Sequence, residues 1–339
     1  ITLPDHILPR LPVKSAIRFK SVSKYWHSAI SHPKFAESHV KNSYFRPQFL
    51  LFEDYDSTDK LHMYLLHYNE YKHKIRDLNS LPFVDDNEYP SVDLVGSCNC
   101  LLCLFLMELS GSFLVWNPAI RQHRYKPDPY SQELITGYGS AIDDYRVVAS
   151  YSSVLDRETG CFFVYSAKEG VWKRICSLDG SSYAGELTRF RGMLIGDTLY
   201  WPIRHSKSKR IVGFNLVDET LNEVPGINWI SEYDNVIIFG INGCLSLCCY
   251  KCDEVFDVWM FKQHGVAGSW EMLYSIDLKV VSILNFSKNG KVLDSRRDAF
   301  DKFPAGVDFH GKVMDTCDYV DTFTPPLGSR YYDGRGRRR

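Results

Sequence analysis

Over residues 1–41 the apolar positions Ile7, Leu8, Leu11, Ala16, Ile17, Phe19, Val22, Trp26, Ala29 and Ile30 recur mostly at spacings of three and four. That spacing predicts short amphipathic helices. Pro12 and Val13 separate a first helix from a second, Ser23 is placed to cap a third by accepting a backbone N–H, and Pro33 follows its end. Helices this short are marginal in water, so their apolar stripes are expected to dock on a partner or on the rest of the chain.

From Tyr44 onward the pattern changes to short runs of aromatic and β-branched residues punctuated by Gly, Asn, Asp and Pro, which is strand texture. A repeat emerges in which a strand with an aromatic anchor leads through a polar turn into a second strand. Its copies are Leu65–Tyr68 before His73–Ile75, Phe113–Trp116 before His123–Tyr125, Phe162–Tyr165 before Val171–Ile175, Ile211–Phe214 before Leu221–Val224, and Phe256–Trp259 before Ser269–Leu273. A weaker sixth centres on Phe300. The anchors Tyr68, Trp116, Tyr165, Phe214 and Trp259 are 48, 49, 49 and 45 positions apart, a propeller-blade interval. Leu101–Leu104, Val147–Ser150, Thr198–Trp201 and Cys244–Leu247 each precede an anchor strand, as a four-stranded blade requires. The expected fold is mainly β: a kelch-like β-propeller of six blades behind a short three-helix segment.

The wording of the first segment is recognisable. Leu3-Pro4, then Arg10-Leu11-Pro12-Val13-Lys14-Ser15, Ile17-Arg18-Phe19-Lys20-Ser21-Val22-Ser23-Lys24, Trp26 and Pro33-Lys34-Phe35 together resemble the plant F-box. The later runs Gly96-Ser97-Cys98-Asn99, Leu101-Leu102-Cys103, Val115-Trp116-Asn117-Pro118, Asp143–Val148 and Asp257-Val258-Trp259 resemble the F-box-associated domain of plant F-box proteins, a group that includes the S-locus F-box proteins. The resemblance implies an F-box at 1–41, an associated propeller at 44–323 and a basic tail at 324–339 that is expected to be disordered. It also implies that Leu3, Pro4, Ile7, Leu8, Leu11, Pro12, Val13, Ile17, Phe19, Val22 and Trp26 meet the Skp-type adaptor of a cullin ubiquitin ligase. The propeller would then recruit a target protein through loops such as 54–60, 128–133, 177–185, 205–209 and 228–234.

Two departures from the family wording stand out. Only Asp5 to Arg10 separate Leu3-Pro4 from Leu11-Pro12, about one helical turn fewer than the family pattern, so the first helix is shortened. Cys100 stands where the family has the glycine of an Asn-Gly hairpin turn, whose positive φ values a cysteine adopts at a cost of roughly 1 kcal/mol.

Composition narrows the chemistry. With 40 basic and 41 acidic side chains the formal charge is −1, so no net field draws nucleic acid or an anionic membrane. No apolar run approaches a membrane span and none at Ile1 reads as a signal segment, so a reduced compartment, cytoplasm or nucleus, is expected for the ten cysteines. Cys244, Cys248, Cys249 and Cys252 are the densest thiol cluster, but strand alternation puts Cys249 opposite Cys244 and Cys248, which argues for packed thiols over zinc. His62, His67 and His73 lack ligand spacing, and Asp85-Asp86 and Asp143-Asp144 read as loop carboxylates, the second pair standing before a strand. No glycine-rich phosphate loop, GxSxG or HExxH occurs. Trp116, Tyr165, Trp172, Trp259 and Trp270 recur at one register per repeat, which argues for packing between sheets. The sequence therefore points to a non-catalytic, cofactor-free substrate receptor of a ubiquitin ligase. The alternative is a propeller interaction module whose shortened F-box no longer joins a ligase, with a propeller enzyme third.

Overall fold

The computed structural model describes residues 7–42, 48–54, 62–67, 74–77, 92–99, 101–106, 112–127, 136–141, 144–152, 160–175, 192–205, 208–251, 255–262, 269–277, 283–286, 292–294, 312–319 and 323. They fall in two compact units, one formed by Ile1–Ser131 with Asp308–Arg339 and the other by Gln132–Val307. Both are dominated by antiparallel sheets.

The first unit opens with a 3-10 turn, Leu8–Arg10, followed by α1 (Val13–Phe19), α2 (Lys24–Ser31) and α3 (Pro33–Asn42). The Ser23 hydroxyl accepts from the Trp26 amide at 3.1 Å, as the sequence predicts for a cap. Pro33, expected only to follow a helix end, also begins α3. Proline fits the first position of a helix because the amide it lacks has no intrahelical partner there.

Two sheets follow in the same unit. β1 (Gln48–Asp54), β2 (His62–His67) and β3 (Lys74–Asp77) pair in sequence. β4 (Val92–Cys98), β5 (Leu101–Leu106), β6 (Ser112–Asn117) and β7 (Gln122–Pro127) form the second sheet. All six residues of β5 are buried, as expected of an apolar strand covered on both faces.

In the second unit β8 (Thr136–Ala141), β9 (Asp144–Ser152), β10 (Gly160–Ser166) and β11 (Val171–Ile175) form one sheet. β12 (Met193–Ile195), β13 (Thr198–His205), β14 (Ser208–Asn215) and β15 (Leu221–Glu223) form another. A third comprises β16 (Asn235–Ile241), β17 (Cys244–Lys251), β18 (Val255–Phe261) and β19 (Trp270–Asp277), and β20 (Ile283–Phe286) pairs with β21 (Val292–Asp294). The last described strand, β22 (Lys312–Tyr319), returns to the first unit and pairs antiparallel with β1, giving the order β22-β1-β2-β3. The described parts of the five aromatic repeats are thus the third and fourth strands, in hydrogen-bonded order, of five four-stranded sheets, with Tyr68 and His73 outside the described residues. The sixth, around Phe300, lies outside the described residues.

Strand alternation sets the packing. From β13, Leu199, Trp201 and Ile203 join Val148, Val164, Val212 and Phe214 in one core cluster, while Tyr200 faces the next sheet with Ile238, Leu245, Leu247 and Cys249. Trp201 needs room on the neighbouring chain: a Cβ at Gly137 or Gly192 would come within 2.7 or 2.5 Å of its ring. The sheets that begin at β12 and β16 each join first to second strand by a two-residue turn, as where Ile241 pairs with Cys244 across Asn242 (φ 50°) and Gly243 (φ 77°). In the β4–β5 link, Asn99 takes φ 46°, whereas Cys100 lies outside the described residues. At the end of the third strand, Asn117, Ser166 and Asn215 each turn a side-chain oxygen onto a nearby turn amide, at 2.9, 3.0 and 2.8 Å. These three positions repeat at the blade interval.

Among the described cysteines, Cys98, Cys103, Cys248 and Cys249 are buried and Cys244 is half-buried. Cys248 packs with Phe239, Ile241, Phe256 and Val258, and Cys249 with the cluster on the opposite face. Burial, reinforced by the Asp257 carboxylate, pushes the Cys249 thiol up to about 12. Burial also raises Cys103 and Cys248 above the ordinary thiol range and moves Tyr274 up to about 12. A raised folded-state value means the fold retains protons that the unfolded chain releases. This contribution is complete below the unfolded value of 9.0 for cysteine and is lost as pH rises toward 12. The urea midpoint of the second unit should therefore fall steadily from about pH 9 to 12, more shallowly in Cys249→Ala. A slope identical in both proteins would refute this role for Cys249.

Candidate functional site

The helical segment has two faces. On the inner one, Leu8, Val13, Ala16, Ile30, Phe35 and Ala36 are buried together with Phe323, and Leu11, Ile17, Phe19 and Trp26 pack half-buried against them. The rings of Phe19 and Trp26 lie 5.2 Å apart, joining α1 to α2. His39 of α3 is 1% exposed, and its Nε2 donates to the Leu11 carbonyl at 2.9 Å. A carbonyl only accepts, so the proton sits on Nε2.

The outer face is apolar and basic. Ile7, Val22 and Tyr25 are 48%, 61% and 58% exposed, a large opening for side chains of this kind. Along the same segment Arg10, Lys14, Arg18, Lys24 and Lys34 are exposed, and partial burial lowers the Lys20 ammonium below its usual range. Residues 7–42 hold seven Lys and Arg against one acidic side chain, Glu37, in a chain whose overall charge is −1. Such a surface can bind an acidic partner that offers an apolar groove.

The eleven residues expected to meet an adaptor thus divide. Leu3 and Pro4 lie outside the described residues. Ile7, Pro12 and Val22 are exposed, Leu8 and Val13 are buried within the chain, and Leu11, Ile17, Phe19 and Trp26 lie between. Tyr25 is not among the eleven, although it is 58% exposed in the first turn of α2, where Trp26 and Ile30 turn toward the inner cluster. Phe35 and His39 are also absent from them, because Pro33 reads as a helix stop.

Of the expected target-recruiting loops, 228–234 is described in full, and it is tightly built. Asn228–Glu232 is a 3-10 helix whose Ile230 is buried, and the Lys209 ammonium meets the Tyr233 carbonyl. Trp229 packs tilted against Trp259 at 4.3 Å and meets Trp270 edge-on at 6.0 Å. Tyr233 donates to Asp257 at 2.7 Å, and burial first, that bond second, pushes its hydroxyl up to about 12. Trp259 and Trp270 serve packing here, as their recurrence predicts. Elsewhere Asp144 opens β9, accepts from the Lys168 amide at 2.9 Å and pairs with Arg146, which donates to Glu219 at 2.7 Å. Lys173 meets the other Glu219 oxygen. These are ties between strands and turns. Among the described residues, no group of three or more His, Cys, Asp or Glu is placed to hold a metal, and no helix is long and apolar enough to cross a membrane.

Comparison with known proteins identifies the family and agrees with the fold. Residues 49–299 match the model of the F-box associated beta propeller domain. The chain is 29% identical over 322 residues to F-box protein CPR1 of Arabidopsis thaliana, covering 84% of this chain and 74% of that one. It is 28% identical over 300 residues to an F-box/kelch-repeat protein of the same plant, covering 81% and 79%. A third Arabidopsis thaliana F-box protein is 26% identical over 314 residues, covering 81% and 72%.

Proposed function

We propose, given that this chain belongs to the plant F-box proteins with an F-box-associated β-propeller domain, that it is the substrate-recognition subunit of a Skp-cullin-F-box ubiquitin ligase. Its helices dock on the Skp-type adaptor, and through it on cullin, while its sheets present a target protein for ubiquitination in the cytoplasm or nucleus. The chain itself makes and breaks no bond. The observation that carries this reading is the outer face of the helices, where Ile7, Val22 and Tyr25 stand open among basic side chains. In this reading Leu8 and Val13 support the docking surface from beneath, and Ile7, Pro12 and Val22 touch the adaptor.

The test is titration of the full chain with a purified Skp-type adaptor. A micromolar or tighter complex is expected, weakening about tenfold between 50 and 500 mM salt as the basic surface is screened. No complex at micromolar concentration would leave a propeller interaction module outside any ligase. A salt-independent complex would reject the charged face as the contact.

A further inference from the structure

The inner core of the helical segment is completed from far along the chain. Phe323 lies just beyond β22, yet its ring meets Phe35 edge-on at 5.2 Å and His39 edge-on at 5.0 Å. It is 6% exposed and belongs to the same buried cluster as Leu8, Val13, Ala16 and Ile30. Ala119 and Ile120 pack against that cluster from the β6–β7 turn. The turn is shaped for this: Asn117 is fully buried and its side-chain oxygen holds the Ala119 amide at 2.9 Å, with Arg121 at φ 54°. At the corresponding positions the turns after Ser166 and Asn215 carry Lys168-Glu169 and Val217-Asp218, and Val217 stays 43% exposed rather than joining a buried cluster.

We propose that Phe323, seated with Ala119 and Ile120, is a positioning residue for the adaptor-docking surface, so that the helices reach their binding conformation only when the chain beyond β22 is in place. The inference rests on the docking role argued above. The line of contact runs from Phe323 to His39, from His39 Nε2 to the Leu11 carbonyl, and so to the bend between the 3-10 turn and α1. Exposed Ile7 lies on one side of that bend and Val13 on the other. Without the ring, His39 keeps Phe35 at 6.2 Å but loses the nearer of these two aromatic contacts. The bend is then no longer fixed, although every residue of the outer face remains.

The test compares the full chain with Phe323→Ala and Phe323→Leu, reading amide hydrogen exchange and adaptor affinity. In Phe323→Ala, exchange across residues 13–42 should quicken about a hundredfold, β16–β19 should exchange as before, and adaptor binding should weaken at least about tenfold. Phe323→Leu keeps much of the apolar volume and should recover most of both losses. Unchanged exchange in 13–42 would overturn the proposal. So would equal quickening in β16–β19, which marks general unfolding, or full binding by Phe323→Ala. Failure of the unsubstituted chain to bind the adaptor would instead overturn the docking role, while the exchange readout still decides whether Phe323 holds the helices.

Discussion

Aspartate at both Val22 and Tyr25 abolishes adaptor capture while the helices stay folded: this is the expected result of the substitution with the largest effect on function. Both side chains are more than half exposed, so their replacement should alter stability by only about 0.5 kcal/mol. In a docked interface, two carboxylates would be forced into an apolar contact, weakening binding at least about a hundredfold. Titration with the adaptor, with circular dichroism of the free protein as control, separates the two consequences. Undiminished affinity would move the contact elsewhere. Aspartate at Leu11 or Trp26 is a poorer probe, because both pack against the inner cluster and the same loss of binding would follow from unfolding.

Trp201→Ala is the corresponding expectation for stability. The ring is 1% exposed and fills a space that glycine leaves open at positions 137 and 192. Its removal leaves a cavity between two sheets and should cost about 3–5 kcal/mol, read as a lower urea midpoint for the second unit. Gly137→Ala should be destabilising at the same place for the opposite reason, by about 1–3 kcal/mol. A shift below about 1 kcal/mol in Trp201→Ala would mean that the sheets collapse into the space.

These expectations show which features the sequence exposes. Trp116, Tyr165, Phe214 and Trp259 mark their sheets because each blade repeats the same packing problem, and repetition survives divergence of individual residues. The buried thiols are legible from strand alternation alone. The helical segment is harder, since a spacing of three and four identifies apolar stripes without saying which of them the chain itself covers. Leu8 is covered and Tyr25 is open, and nothing local distinguishes them. The group that closes the cluster around Leu8 is Phe323, a residue at the far end of the first unit's sequence. The segment 228–234 reads as a recruiting loop because it falls between repeats and differs from blade to blade. Only the tertiary cluster around Trp229 shows that it is anchored.

The pairing of β22 with β1 also has a consequence for synthesis. β1 leaves the ribosome early, but the strand that covers one of its edges is made only after the whole of the second unit. At ordinary elongation rates that edge waits on the order of tens of seconds. Unpaired strand edges invite association with other chains. The interval is therefore when a nascent chain most needs a chaperone, and a frameshift that removes β22 would leave the edge open for the life of the protein.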